Sequence, residues 1–168
     1  ETSGDTASRR AQVEERAGRT LLLVEDEALI ALAEEQMLQR NGFAVRTVLT
    51  GEEAVEIVRT QPEIDLVLMD IDLGPGMDGT EAARRILLIR ELPVVFLTGH
   101  AEREMVERVR NITRYGYVLK NSGEFVLIES IAMAFELFDT SEKLRRSEQR
   151  YRWIADNSTD GVALVQGD

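Results

Sequence analysis

Five side chains with reactive chemistry follow apolar runs in this sequence. Glu25 and Asp26 follow TLLLV, Asp70 follows IDLVLM, Thr98 closes PVVFLT, and Lys120 follows YGYVL. Carboxylates crowded together repel one another, and the repulsion raises some of their pKa values. A divalent cation removes that penalty. Oxygen ligands from few side chains favour Mg²⁺, which keeps several of its own waters. A cation beside a free carboxylate suits phosphoryl transfer. The carboxylate of Asp70 attacks phosphorus, while the metal and the Lys120 ammonium offset charge on the phosphoryl oxygens. The Thr98 hydroxyl adds a donor. Taken singly, each residue has a plainer role: an Asp after a strand forms turns, a Thr caps and a Lys is a surface charge. The chemistry therefore depends on whether the fold brings all five to one place.

The elements that must do this read as five strand-helix units. TLLLV is a short apolar run bounded by charge, the pattern of a strand buried on both faces. A helix over 27–40 follows, with Leu29, Leu32, Ala33 and Met37 at helical spacing, and Asn41-Gly42 stops it. FAVRTV is the second strand, and Thr50-Gly51-Glu52-Glu53 opens a helix that Gln61-Pro62 breaks. The third strand, 64–69, leads into the glycine-rich loop DIDLGPGMDG and a helix over 80–89. PVVFLT, a helix over 101–110, a strand over 115–119 and a helix from 124 complete the series. Short connections between buried strands imply parallel pairing with right-handed crossovers. The expected fold is α/β: a flavodoxin-like doubly wound sandwich of five parallel strands, order 2-1-3-4-5, with five helices. Such sheets carry their sites beyond the carboxyl ends of the strands, where all five reactive residues lie.

Composition narrows the classes. A net charge of -11 argues against a nucleic-acid surface, since a phosphate backbone rewards a basic one. Cysteine is absent, which removes thiolate chemistry, and the single His100 cannot make a multi-histidine metal site. No apolar run approaches a membrane span, so no membrane contact by this fragment is expected; the expected location is cytoplasmic. A nucleotide-binding module lacks its glycine-rich loop after the first strand. A haloacid-dehalogenase-like, Mg²⁺-dependent phosphohydrolase would use Asp70-Ile71-Asp72 as its paired aspartates but leaves Glu25-Asp26 without a role. It remains the alternative, together with a non-catalytic interaction domain.

LLVEDE, LVLMDIDLGPGMDG, PVVFLTG and YGYVLK together resemble the receiver domain of two-component response regulators, over about residues 20–140. The resemblance implies that Asp70 is the phosphoacceptor. It implies Mg²⁺ held by Glu25, Asp26, Asp70 and the backbone carbonyl of Asp72. Thr98 and Tyr117 become the switch residues, and Lys120 binds the phosphoryl group. Asp72 and His100 stand two residues past Asp70 and Thr98, where family members tune phosphoryl lifetime. The sequence departs from the pattern at Asn121, which replaces the proline that usually follows the lysine. The loop therefore lacks a proline-dependent cis bond.

In the family, phosphorylation alters the face formed by the fourth helix, fifth strand and fifth helix of the series. A histidine kinase or phosphotransfer domain is the implied phosphodonor, and self-phosphorylation and self-dephosphorylation are accessory activities. The chain divides into a polar leader (1–18), the receiver (19–140), a helical linker (141–156) and a final segment (157–168). In the leader, SRRAQVEERAG reads foremost as a mobile segment, and otherwise as a frayed helix or the tail of an upstream element. Leu137, Leu144 and Tyr151 fall seven apart along the end of the fifth helix and the linker, which fits either a single-chain amphipathic linker or a homodimer through the fifth helix and linker. SEQRYRWIADNSTDGVALVQGD resembles the opening of a PAS sensor domain, with a turn at Asp160-Gly161 and a strand at VALV. Receiver followed by PAS resembles hybrid sensor histidine kinases, so the segment is read as the truncated start of such a domain.

Overall fold

The structure is a computed structural model in which residues 3–100 and 102–165 are described. The chain divides into two units, 1–134 and 135–168. The first holds β1 (Thr20–Val24), β2 (Ala44–Val48), β3 (Ile64–Asp70), β4 (Val94–Thr98) and β5 (Tyr117–Leu119). These form one parallel sheet in the order β2-β1-β3-β4-β5, as the strand-helix alternation predicts. Its crossovers are α2 (Ala28–Arg40), α3 (Gly51–Thr60), α4 (Gly79–Ile89) and α5 (Arg103–Arg110). α1 (Ser3–Arg16) precedes the sheet and α6 (Glu124–Val165) follows it.

The apolar runs are continuous because both sheet faces are covered. Leu21 to Val24 and Leu66 to Met69 are fully buried. Ala54, Val58, Ala82, Ala83 and Ile86 from α3 and α4 pack into the same core. Helix caps keep the connections short. Thr50 Oγ1 accepts from the Glu53 amide at 3.2 Å, and Glu53 accepts from the Leu49 amide at 3.1 Å. Asp78 Oδ1 accepts from the amides of Thr80 (2.8 Å) and Glu81 (2.9 Å), which fixes the start of α4 at Gly79. Gly79 makes this possible: a Cβ there would lie 1.9 Å from the Asp70 carbonyl oxygen.

Three segments differ from expectation. Residues 3–16, where the sequence favours a mobile leader over a frayed helix, form a helix. Val13 packs against Gly42, the Arg16 guanidinium lies 5.9 Å from the Phe43 ring centroid, and Arg16 pairs with Glu129 at 3.7 Å. These contacts give one face of a polar helix a place to sit. The fifth strand is shorter than 115–119. Gly116 sits at φ +85°, and the Tyr115 amide donates to Thr113 Oγ1 rather than to the sheet. α6 is unbroken to Val165, so the turn and strand expected at Asp160-Gly161 and VALV are helical. A lone strand leaves its amides and carbonyls without partners, and VALV pairs with none of the five strands. A helix satisfies the same groups from within.

Candidate functional site

The carboxyl ends of β1, β3, β4 and β5 lie side by side because the central strands are in parallel register. Sheet-like bonds continue past the strands: the Glu25 amide donates to Val48 O, Ile71 to Leu97 O, and Lys120 to Thr98 O. The side chains that follow these strands are therefore held by the sheet itself. Glu25 is fully buried and Asp70 nearly so, at 0% and 2% exposure. Lys120 Nζ reaches both, donating to Glu25 Oε2 at 2.5 Å and Asp70 Oδ2 at 2.9 Å. The other oxygens are engaged as well. Glu25 Oε1 accepts from the Glu27 amide, and Asp70 Oδ1 from the Asp72 amide at 3.0 Å. Asp26 Oδ2 accepts from the Gly74 amide at 3.0 Å, tying the acidic pair to the β3–α4 loop.

One carboxylate oxygen from each of Glu25, Asp26 and Asp70 lies within 4.8 Å of the others. Burial raises the Glu25 pKa, and the Asp70 charge adds to it; the hydrogen bond from Lys120 opposes both but does not win. Burial opposes the charged form of Lys120, yet its bonds to Glu25 and Asp70 hold the ammonium well above its ordinary range. Three carboxylates against one ammonium leave two negative charges. Hard oxygen donors with that residual charge fit a small divalent cation such as Mg²⁺.

The structure thus brings Glu25, Asp26, Asp70 and Lys120 together. Thr98 is buried at the end of β4, and its hydroxyl donates to the His100 carbonyl at 2.8 Å while accepting from the His100 amide. His100 and Asp72 are exposed in their loops. Tyr117 begins β5 with its side chain at the surface, 36% exposed. No peptide bond among the described residues is cis, and Asn121 follows Lys120 in a turn in which Ser122 Oγ donates to Leu119 O at 2.6 Å.

Two features escape the sequence reading. Glu34, on α2, feels the charges of Glu25, Asp70 and Lys120, and its Oε2 is buried without a partner. Burial first, then Glu25, pushes its carboxyl up to about 7. In a helix rich in Glu and Gln nothing marks this acid as special. Arg108 of α5 donates to Thr80 Oγ1 at 3.0 Å, joining α5 to the start of α4. The spacing Asp78-x-x-Glu81 is a legible capping signal, but its link to Arg108 is not.

The Glu34 environment has a measurable consequence. Its folded pKa lies above the unfolded value, so the folded state binds more protons between the ordinary carboxylate range and pH 7. Stability therefore falls as pH rises through that window and levels off above it. Glu34→Gln removes the dependence. The melting temperature of the variant is expected to exceed wild type at pH 8 and to match it at pH 5. Equal curves at both pH values would show that Glu34 is ordinarily solvated.

The family model of the response regulator receiver domain matches residues 21–132. The transcriptional regulatory protein PdtaR of Mycobacterium tuberculosis is 37% identical over 121 residues, 71% of this chain and 58% of its own length. The chain thus spans little more than half of that curated relative. Sporulation initiation phosphotransferase F of Bacillus subtilis is 30% identical over 93 residues, covering 55% of this chain and 73% of that protein. Among solved structures, the N-terminal domain of a response regulator/sensory box/GGDEF 3-domain protein from Carboxydothermus hydrogenoformans is 46% identical. It superposes with a TM-score of 0.68, covering 73% of this chain and 98% of that one. The sheet order, the acidic cluster bridged by Lys120 and the extent of the sequence match agree: this chain belongs to the response regulator receiver domain family.

Proposed function

We propose that the chain accepts a phosphoryl group on Asp70 in a Mg²⁺-dependent reaction and passes the resulting change to an output. The observation that supports this most is the Lys120 bridge between Glu25 and Asp70 at the edge of the parallel sheet. Glu25, Asp26, Asp70 and the Asp72 carbonyl would hold the metal, which offsets charge on the transferring phosphoryl oxygens. Asp70 then attacks phosphorus. The bond from phosphorus to the donor breaks, the donor leaves with the electron pair and takes up a proton, and an acyl phosphate remains on Asp70. Lys120 exchanges its contact with the carboxylate for one with a phosphoryl oxygen. Return to the free carboxylate requires a water to attack phosphorus, releasing inorganic phosphate. Asp72 and His100, two residues past Asp70 and Thr98 and exposed in their loops, are candidates for setting its rate.

Relay rests on Thr98 and Tyr117. A phosphoryl group on Asp70 adds negative charge and acceptor oxygens. Thr98 would leave His100 to donate to it, and Tyr117 would turn inward, shifting the population of the α5–β5–α6 face. The phosphodonor is a histidine kinase or phosphotransfer domain, and the setting is cytoplasmic. The relative from Carboxydothermus places its receiver ahead of a sensory box, and residues 147–168 resemble the opening of a PAS domain. The first supports a sensory domain following the receiver, and the second suits a place within a larger sensor or hybrid histidine kinase.

Acetyl phosphate with Mg²⁺ tests the reading. Intact mass should rise by one phosphoryl group in wild type and not in Asp70→Asn or with chelator. Backbone amide shifts of the same sample should change in α5 and β5. An unmodified wild type, or a modified one with unchanged signals there, would overturn the first or the second half of the reading.

A further inference from the structure

Among the described residues the second unit of the chain is helix alone, and one stripe of it is apolar and uncovered. Leu137, Leu144, Tyr151 and Ile154 are 52%, 61%, 73% and 48% exposed. At 3.6 residues per turn they fall on one line with Thr140 and Ser147 between them. In heptad terms Leu137, Leu144 and Tyr151 take the a positions, and Thr140, Ser147 and Ile154 the d positions. The stripe runs roughly 25 Å at 1.5 Å per residue. Side chains of this size exposed in a continuous row mark an interaction surface.

The flanking charges say what covers it. Lys143 occupies a g position and Glu148 the e position five residues on. In a parallel, in-register pair of helices, g of one chain faces that e of the other, so Lys143 meets Glu148 twice. The remaining pairs of this kind are Glu136 with Ser141 and Arg150 with Ala155, so no like charges oppose one another. An antiparallel pair would set g against g, where Lys143 and Arg150 are both cationic. Glu142 and Arg145 lie outside the stripe and pair within the helix at 3.0 Å. Thr140 and Ser147 weaken the seam, and a one-heptad slip would still set one against the other, but it would lose both Lys143–Glu148 pairs, so charge favours the in-register alignment.

We propose that residues 137–154 pair with the same segment of a second copy of this chain as a parallel, in-register two-stranded coiled coil. The pairing does not depend on the Asp70 chemistry, and an Asp70→Asn chain should dimerise as wild type does.

The absence of cysteine makes the register directly testable. Leu144→Cys places one thiol on the seam, and Arg146→Cys places one on the outer face. Mild oxidation should cross-link the first into a covalent dimer and leave the second monomeric. Light scattering of wild type should give twice 18.9 kDa at high micromolar concentration. Lys143→Glu should weaken dimerisation about tenfold, and adding Glu148→Lys should restore it. These two positions are exposed, so neither change threatens folding. A monomeric wild type, a higher oligomer, equal cross-linking at 144 and 146, or no rescue by the second charge reversal would overturn the proposal.

Discussion

Lys120→Met should destabilise the first unit strongly at pH 8 and much less at pH 5. Lys120 is the only cation bonded to the buried Glu25 and Asp70 carboxylates among the described residues. Removing one partner from a buried ion pair costs about 3–5 kcal/mol, because the remaining charge is stranded out of water. Here two carboxylates are stranded together. The pH sign follows from Glu25. Its pKa already lies above the ordinary value because of burial, and the Lys120 hydrogen bond is what restrains it. Without Lys120 it rises further, so Glu25 takes up a proton as pH falls and one of the two stranded charges disappears. The wild-type contribution of Lys120, whose own pKa is raised, is fully present throughout this range. Urea unfolding of both proteins at pH 5 and pH 8 measures the difference. A gap of the same size at both values would mean that Lys120 acts through packing rather than charge. Mg²⁺ should narrow the gap at pH 8, since it supplies positive charge to the same carboxylates.

Gly79→Ala is the second change with a large expected effect. The new Cβ would sit 1.9 Å from the Asp70 carbonyl oxygen and 2.9 Å from the Ile71 Cα. Both are backbone atoms, so no side chain can swing aside. Either α4 retreats from β3, breaking the bond from the Gly79 amide to Ile71 O at 3.1 Å, or the end of β3 moves and carries Asp70 with it. The expected loss is about 3 kcal/mol, at the upper end for overpacking. Phosphorylation by acetyl phosphate should slow in whatever fraction folds. Gly99→Ala is the control, because a Cβ there meets nothing within 4 Å. Equal stability of the two variants would contradict the close approach of α4 to β3.

The sheet and most of the site are legible in the sequence for one physical reason. A strand buried on both faces must be apolar along its whole length, so TLLLV, IDLVLM and VVFLT announce both their position and their carboxyl ends. The polar residue that follows each is then placed by the register, and Glu25, Asp70 and Lys120 meet as expected. What is not legible comes from contacts between distant segments. The helix over 3–16 depends on Val13 meeting Gly42 and Arg16 meeting Phe43 and Glu129. Local composition alone says only that the segment is polar. Glu34 looks like any acid on an amphipathic helix until α2 packs beside the site. VALV has the composition of a strand but finds no strand to pair with, and α6 continues through it. Strand propensity is a statement about neighbours, whereas a helix closes its hydrogen bonds within itself.

The most direct test of the account is to locate the phosphoryl group chemically. Wild-type chain treated with acetyl phosphate and Mg²⁺ would be reduced with borohydride, which converts an aspartyl phosphate to homoserine. Peptide mass spectrometry would then read the position. The account predicts homoserine at residue 70, lost when Mg²⁺ is chelated and absent from Asp70→Asn. Homoserine at residue 26 or 72 instead, or none in a folded and Mg²⁺-loaded wild type, would contradict it.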